Sequence, residues 1–85
     1  MEIRWNELKN MRLKLTRGVS FEEILKEKWI ATVPHPKRTG QRVFLFERQG
    51  YIWVAPFVED ENGIFLKTLY PSRDYTRLYK KGELP

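Results

Sequence analysis

Apolar residues recur at helical spacing near the start of the chain. Steps of three or four residues separate Trp5, Leu8, Met11 and Leu15. In an α-helix this spacing places the four side chains on one face. The pattern predicts a helix over residues 5–16 that can pack against a sheet. Gly18 is expected to end it, because glycine adopts a positive φ without steric cost.

A capping box predicts a second helix directly afterwards. Ser20 precedes Phe21, Glu22 and Glu23, so its hydroxyl can accept from the Glu23 amide while the Glu23 carboxylate reaches back to the Ser20 amide. We expect this helix to span residues 21–28.

From Trp29 onward the chain is rich in β-branched and aromatic residues. Four runs favour strands, at 29–33, 42–48, 51–58 and 64–70. The pairs Gln49-Gly50 and Asn62-Gly63 are typical of hairpin turns. Both faces of the predicted sheet are apolar, so the two helices can cover one face only. The other face needs residues 73–81, as a short helix capped by Ser72, or a partner protein.

These elements predict a single α+β domain over residues 1–85. Two N-terminal helices pack on a three- to four-stranded antiparallel sheet, followed by a short C-terminal helix. The chain has no cysteine and one histidine, which argues against a disulfide framework or a zinc site. No metal or cofactor is expected. No apolar run approaches the roughly 20 residues of a membrane span, so we expect a cytoplasmic protein that does not contact a membrane.

The charge of the chain is unevenly distributed. Sixteen Lys and Arg against eleven Asp and Glu give a net charge of +5. The acidic residues Glu59, Asp60 and Glu61 cluster at a predicted hairpin, and the remainder is more basic than the total suggests. This distribution favours a polyanionic partner such as RNA, DNA or an acidic protein. The alternative is a solvated surface in a charge-rich protein.

Three short motifs resemble the BrnT family of bacterial toxins. The first is Trp5-Asn6-Glu7-Leu8-Lys9, the second is Arg17-Gly18-Val19-Ser20-Phe21-Glu22-Glu23, and the third is Pro71-Ser72-Arg73-Asp74-Tyr75-Thr76. In the third motif, Arg73 and Thr76 match the family pattern. Arg17 stands where the family commonly has histidine, and Pro71 where it has serine.

The resemblance implies a RelE-like ribonuclease toxin of a type II toxin–antitoxin system that inhibits translation without a metal. It also implies a cognate antitoxin with a ribbon-helix-helix DNA-binding part, and an oligomer in complex with that antitoxin.

Metal-independent RNA cleavage needs a group that takes the 2′-OH proton, cations beside the phosphorane and an acid for the leaving oxygen. Arg73 matches the family motif, and Lys67 interrupts an apolar strand. Five residues are the catalytic candidates: Arg73, Lys67, Arg42, Arg48 and Tyr79. Four more are candidates for binding RNA phosphates: Arg12, Arg17, Lys37 and Arg38. The lone histidine, His35, lies between two prolines and is more often solvated than catalytic in such a loop.

Two alternatives remain open. The first is a catalytically degenerate toxin-like module that only binds an antitoxin or nucleic acid, which the departures at Arg17 and Pro71 favour. The second is a structural adaptor for an acidic protein, which would show no salt-dependent affinity for RNA.

Overall fold

A computed structural model describes residues 2–84 of the chain. The elements follow in the order β1 (Glu2–Arg4), α1 (Glu7–Arg17), α2 (Phe21–Ile24), β2 (Lys28–Pro34), β3 (Arg42–Arg48), β4 (Tyr51–Asp60), β5 (Gly63–Leu66), β6 (Tyr70–Pro71) and α3 (Arg73–Lys80).

Six strands form one mixed sheet. The main path runs β1-β5-β4-β3-β2, and β6 also pairs with β4. The pairs β2–β3, β3–β4, β4–β5 and β4–β6 are antiparallel, whereas β1 and β5 are parallel. The strands β5 and β6 pair with successive parts of β4, with residues 67–69 between them.

The prediction of a RelE-like arrangement, with two N-terminal helices on a three- to four-stranded antiparallel sheet, is therefore wrong. The sheet has six strands and one parallel pair, and α2 has only four residues. The sequence analysis did not predict strand β1. This strand is only three residues long, and it pairs with a strand far along the chain, so no neighbouring turn motif indicates it. The predicted strand 64–70 is divided into β5 and β6.

Helix α1 buries a different face from the one that its apolar stripe predicts. Leu8, Met11 and Leu15 are 73%, 57% and 85% exposed, while Asn10 and Leu13 are buried. Asn10 is buried because its amide is fully used. Its Oδ1 accepts from the Phe21 amide at 2.7 Å, and its Nδ2 donates to two carboxylates. A polar residue thus joins α1 to the next helix. Leu8, Met11 and Leu15 face outward, whereas Trp5, which precedes α1, packs against Phe21.

The predicted capping box is confirmed, but the helix it begins is short. The Ser20 hydroxyl accepts from the Glu23 amide at 3.1 Å, and the Glu23 carboxylate accepts from the Ser20 amide at 2.9 Å. The helix ends at Ile24 rather than near residue 28, because the chain enters β2 at Lys28.

Both faces of the sheet are covered. One buried cluster includes Leu13, Phe21 and Ile24 from the helical region together with Phe46 and Phe57 from the sheet. The opposite cluster is formed by five residues of β2, β3 and β4, and the tyrosines at 70, 75 and 79 pack against it. The helix α3 therefore covers the second face, one of the two possibilities that the sequence left open.

The helices are short. The longest, α1, has 11 residues. Within residues 2–84, no helix has the length and apolar character needed to cross a membrane.

Candidate nucleic-acid interface

His35 makes three hydrogen bonds within the loop between β2 and β3. The His35 amide donates to the Gln41 carbonyl oxygen at 2.8 Å, which closes the loop across its base. The Nδ1 atom of His35 accepts from the backbone amides of Lys37 at 3.0 Å and Arg38 at 3.2 Å. These bonds position the backbone of the two cationic residues that the sequence predicts to bind RNA.

Lys67 lies against the same loop. The chain leaves β5 after Leu66, and the Lys67 amide donates to the Pro56 carbonyl oxygen in β4 at 2.8 Å. A hollow of about 410 Å³ results, which we call the basic hollow. Its lining residues are His35, Lys37, Arg38, Gln41, Pro56, Lys67, Thr68 and Tyr70.

The cations of the basic hollow are available to a ligand. Lys37, Arg38 and Lys67 are all exposed. Within residues 2–84, none of the three forms an ion pair with a carboxylate. Three uncompensated positive charges around one concave surface create a potential that attracts anions.

The hydrogen bonds of His35 also fix its tautomer. Because Nδ1 accepts from two backbone amides, the proton of the neutral ring must lie on Nε2. In this arrangement Nε2 is a hydrogen-bond donor. His35 can therefore donate to a phosphate oxygen, but it cannot accept a proton at Nε2 while the Nδ1 bonds persist.

Two of the predicted catalytic arginines are engaged elsewhere. Arg42 forms an ion pair with Glu59, and its guanidinium lies 5.4 Å from the centre of the Phe57 ring. Arg48 forms a 2.8 Å ion pair with Glu27, with both side chains less than a third exposed. The two arginines lie at opposite ends of β3, about 20 Å apart at the usual rise per residue, so they cannot act on one phosphate.

Tyr79 also forms a hydrogen bond within the protein. Its hydroxyl donates to Glu47 Oε1 at 2.8 Å. That hydrogen bond, with burial and the negative charge of Glu47, raises the pKa of Tyr79 above its ordinary value. The ring packs against the core cluster beneath α3. The contacts of Tyr79 therefore stabilise the packing of α3 against the sheet.

Arg73 belongs to a different surface from Lys67. It is the first residue of α3 and lines a second hollow of about 500 Å³ with Tyr51, Thr76, Arg77, Lys80 and Lys81. The amide of Ser72, the residue before Arg73, donates a hydrogen bond to the Ile52 carbonyl oxygen, whereas the Lys67 amide donates to the Pro56 carbonyl oxygen. These two anchors are four residue steps apart along β4, which corresponds to about 13 Å.

The remaining predicted RNA-binding residues lie on α1. Arg12 is exposed beside the outward-facing apolar stripe. Arg17 extends toward the sheet, where its guanidinium donates to the carbonyl oxygen of Leu69. The structure thus gathers Lys37, Arg38 and Lys67, and leaves the other predicted site residues apart.

The sequence did not single out Tyr70 as a member of the site, and it gave His35 little weight. The position of His35 gave a signal that could have been used. Its ring can accept from the amides two and three residues later in the loop, as the side chain of an Asx turn does. Tyr70 gave no signal, because it falls in a run predicted as one continuous strand.

Within the part of the chain that the structure describes, no three His, Asp or Glu side chains cluster where a metal ion could be held. Comparison with protein-family models, curated proteins and solved structures finds no match to this chain.

Proposed function

We propose that this protein binds RNA in the basic hollow and acts as the ribonuclease toxin of a type II toxin–antitoxin system, as its resemblance to the BrnT family implies. The observation that carries the proposal is the convergence of Lys37, Arg38 and Lys67, unpaired within residues 2–84, on one concave surface. The proposed partner is a cognate antitoxin with a ribbon-helix-helix part.

The lining of the basic hollow suits a nucleotide. The two lysines contribute point charges, and the Arg38 guanidinium offers a planar fork to phosphate oxygens. The Nε2 proton of His35 adds one neutral donor. Tyr70 lines the same hollow, and an aromatic residue at this place can stack on a base.

In the proposed reaction the 2′-hydroxyl gives its proton to water, its oxygen attacks the adjacent phosphorus to form a 2′,3′-cyclic phosphate, and the 5′-oxygen leaves with a proton from water. Negative charge builds on the equatorial oxygens of the phosphorane, where Lys67 and Arg38 stabilise it. His35 donates a hydrogen bond to one of these oxygens. Because Nε2 already carries a proton, His35 stabilises this charge and does not remove the 2′-OH proton.

A second candidate function is a toxin-like module that binds nucleic acid or an antitoxin without cleaving RNA. The engagement of His35 Nδ1 with backbone amides favours it. So does the use of Arg48 and Tyr79 in contacts to Glu27 and Glu47.

The binding proposal is tested with a labelled single-stranded RNA dodecamer titrated at several salt concentrations. The variant Lys37→Ala/Lys67→Ala should weaken binding, and it should reduce the slope of log K against log salt by about 0.7 for each lost phosphate contact. The matched control is Lys26→Ala/Lys28→Ala, which removes the same charge from two other exposed lysines that form no ion pair within residues 2–84. Equal losses in the two variants would exclude the basic hollow as the RNA site.

Cleavage is tested separately from binding. If the protein is a ribonuclease toxin, it should cut RNA in the presence of EDTA and arrest growth when expressed without an antitoxin. The variant Arg73→Ala shows whether the second hollow contributes to cleavage. Tight RNA binding without cleavage or growth arrest would support the non-catalytic module instead.

A further inference from the structure

The outer face of α1 combines exposed apolar side chains with basic residues. At about 100° per residue, Met11, Leu15 and Leu8 span a narrow arc that points away from the buried residues Asn10 and Leu13. We call these three the α1 stripe. Large apolar side chains grouped on one face of an otherwise polar helix indicate an interaction surface.

A concave surface lies beside the stripe. A hollow of about 360 Å³ is lined by Asn10, Met11, Lys14, Leu15 and Ser20, and its wall is almost wholly apolar. The Asn10 amide is already satisfied by Phe21, Glu7 and Glu22. The hollow therefore suits an apolar side chain inserted from outside, which a protein helix supplies and a flat lipid surface does not.

The charges bordering the stripe determine the sign of the partner. Arg12 and Lys9 follow the stripe on one flank, and within residues 2–84 neither forms an ion pair. On the other flank, Lys14 is neutralised by Glu23, with 2.9 Å between Nζ and each carboxylate oxygen. Glu7, beside Lys14 on this second flank, accepts hydrogen bonds from Trp5 and Asn10 and forms no ion pair within residues 2–84. The uncompensated charge on the Arg12 flank is therefore positive.

We propose that the α1 stripe docks an acidic amphipathic helix of a partner protein. The partner's apolar side chains cover Leu8, Met11 and Leu15 and fill the adjacent hollow, and its carboxylates face Arg12 and Lys9. A second copy of this chain in an antiparallel two-fold pair fits less well, because that pairing brings the positive flank of each α1 helix against the same flank of the other. Such docking does not depend on RNA binding or cleavage.

The test uses the full chain as bait for a displayed library of 18-residue amphipathic helices. Leucines are fixed at the i, i+3, i+4 and i+7 positions, and the flanking positions vary among Glu, Gln and Lys. We expect Glu to exceed Lys at least fivefold on one flank of the recovered helices. A recovered population without excess Glu would overturn the proposal.

Variants of the bait test the stripe itself. Leu8→Ser and Leu15→Ser should each weaken the best recovered helix at least tenfold, whereas Trp29→Ser, at an exposed apolar residue on β2, should not. Arg12→Glu should weaken it at least fivefold, and exchange of the facing Glu for Lys in the helix should restore binding. Retained affinity in Leu15→Ser, with the native circular dichroism spectrum, would show that the helix binds elsewhere.

Two further measurements distinguish other occupants. Sedimentation at 100 µM protein should show a monomer, and a dimer that Leu15→Ser abolishes would assign the stripe to a second copy. Flotation with phosphatidylserine vesicles should leave the protein unbound. Vesicle binding that Leu15→Ser abolishes would assign the stripe to a membrane and overturn the proposal.

Discussion

The hydroxyl of Thr76 joins helix α3 to strand β4 by accepting a hydrogen bond from the backbone amide of Ile52 at 2.8 Å. The same hydroxyl donates to the carbonyl oxygen of Ser72 at 2.6 Å. Thr76 is buried, so both bonds are shielded from water. The threonine that matches the family motif therefore holds α3 on the sheet.

Replacement of this hydroxyl by a methyl group should destabilise the fold. In Thr76→Val the Ile52 amide loses its partner in a buried position, which costs about 1–3 kcal/mol of unfolding free energy. Urea denaturation provides the measurement. The control is Thr39→Val, in an exposed loop, where a change within about 0.5 kcal/mol is expected. Equal stabilities of the two variants would show that the hydroxyl is not needed to seat α3.

Gly63 is required where β1 meets β5. Its φ is +134°, and an added Cβ would lie 2.1 Å from the Glu2 carbonyl oxygen. Gly63→Ala should therefore detach β1, and the β1 amides should exchange with solvent far faster than in the unsubstituted chain. Gly50→Ala is the matched control, since Gly50 also has a positive φ but its Cβ would meet nothing within 4 Å. It should cost about 1 kcal/mol. Slow exchange at β1 in Gly63→Ala would contradict this account.

The contact between Lys14 and Glu23 should make stability depend on pH. The hydrogen bond from Lys14, supported by the Ser20 amide, lowers the pKa of Glu23 from 4.5 to about 2. A carboxylate with a lowered pKa in the folded state adds stability above its unfolded pKa, and this stability is lost as the pH falls through the folded value. The stability difference between the unsubstituted chain and Lys14→Met should therefore be constant above pH 4.5 and shrink toward pH 2.

Urea midpoints between pH 6 and pH 2 provide the measurement for this pair. Lys26→Met is the control, because Lys26 is exposed and, within residues 2–84, forms no ion pair. Its stability difference from the unsubstituted chain should not change across this window. A Lys14→Met difference that also stays constant would show that the pair does not lower the pKa of Glu23.

Substitution of Arg48 should mainly lower stability, whereas substitution of Lys67 should mainly weaken RNA binding. Arg48→Ala leaves Glu27 without its cation and should cost about 1 kcal/mol of unfolding free energy, with RNA affinity reduced only through the loss of one positive charge. Lys67→Ala should leave stability unchanged within about 0.5 kcal/mol and weaken RNA binding more strongly. Denaturation and RNA titration of both variants are the two measurements. A larger loss of affinity in Arg48→Ala would place RNA at that end of β3.

The hairpin strands were predictable because their signals are local. The bounds of β3, Arg42–Arg48, agree with the sequence prediction, and the turn at Gln49-Gly50 forms where it was expected. The turn after β4 lies one residue earlier than predicted, at Glu61-Asn62, because Gly63 pairs with Asp60 as the first residue of β5. Side-chain alternation also separated the two core clusters, since Phe46 and Leu45 lie on opposite faces. These features depend on residues within a few positions of one another.

The outward face of α1 was not predictable from periodicity. The pattern identifies an apolar stripe, but the buried face is set by Asn10, whose partners lie in another element. The basic hollow was likewise not predictable from local sequence patterns. Lys37, Arg38 and Lys67 were each identified, but their convergence depends on the bond between the Lys67 amide and Pro56, which no local pattern encodes.

The parallel pairing of β1 with β5 also bears on the order of folding. Arg4 of β1 bonds both carboxylate oxygens of Asp60, 56 positions along the chain, whereas β2, β3 and β4 pair through hairpin connections. Closing the longer loop costs more chain entropy before any contact compensates for it. We therefore expect the three-strand meander to form first and β1 to join the edge afterwards, so that until then β5 has an unpaired edge open to other chains.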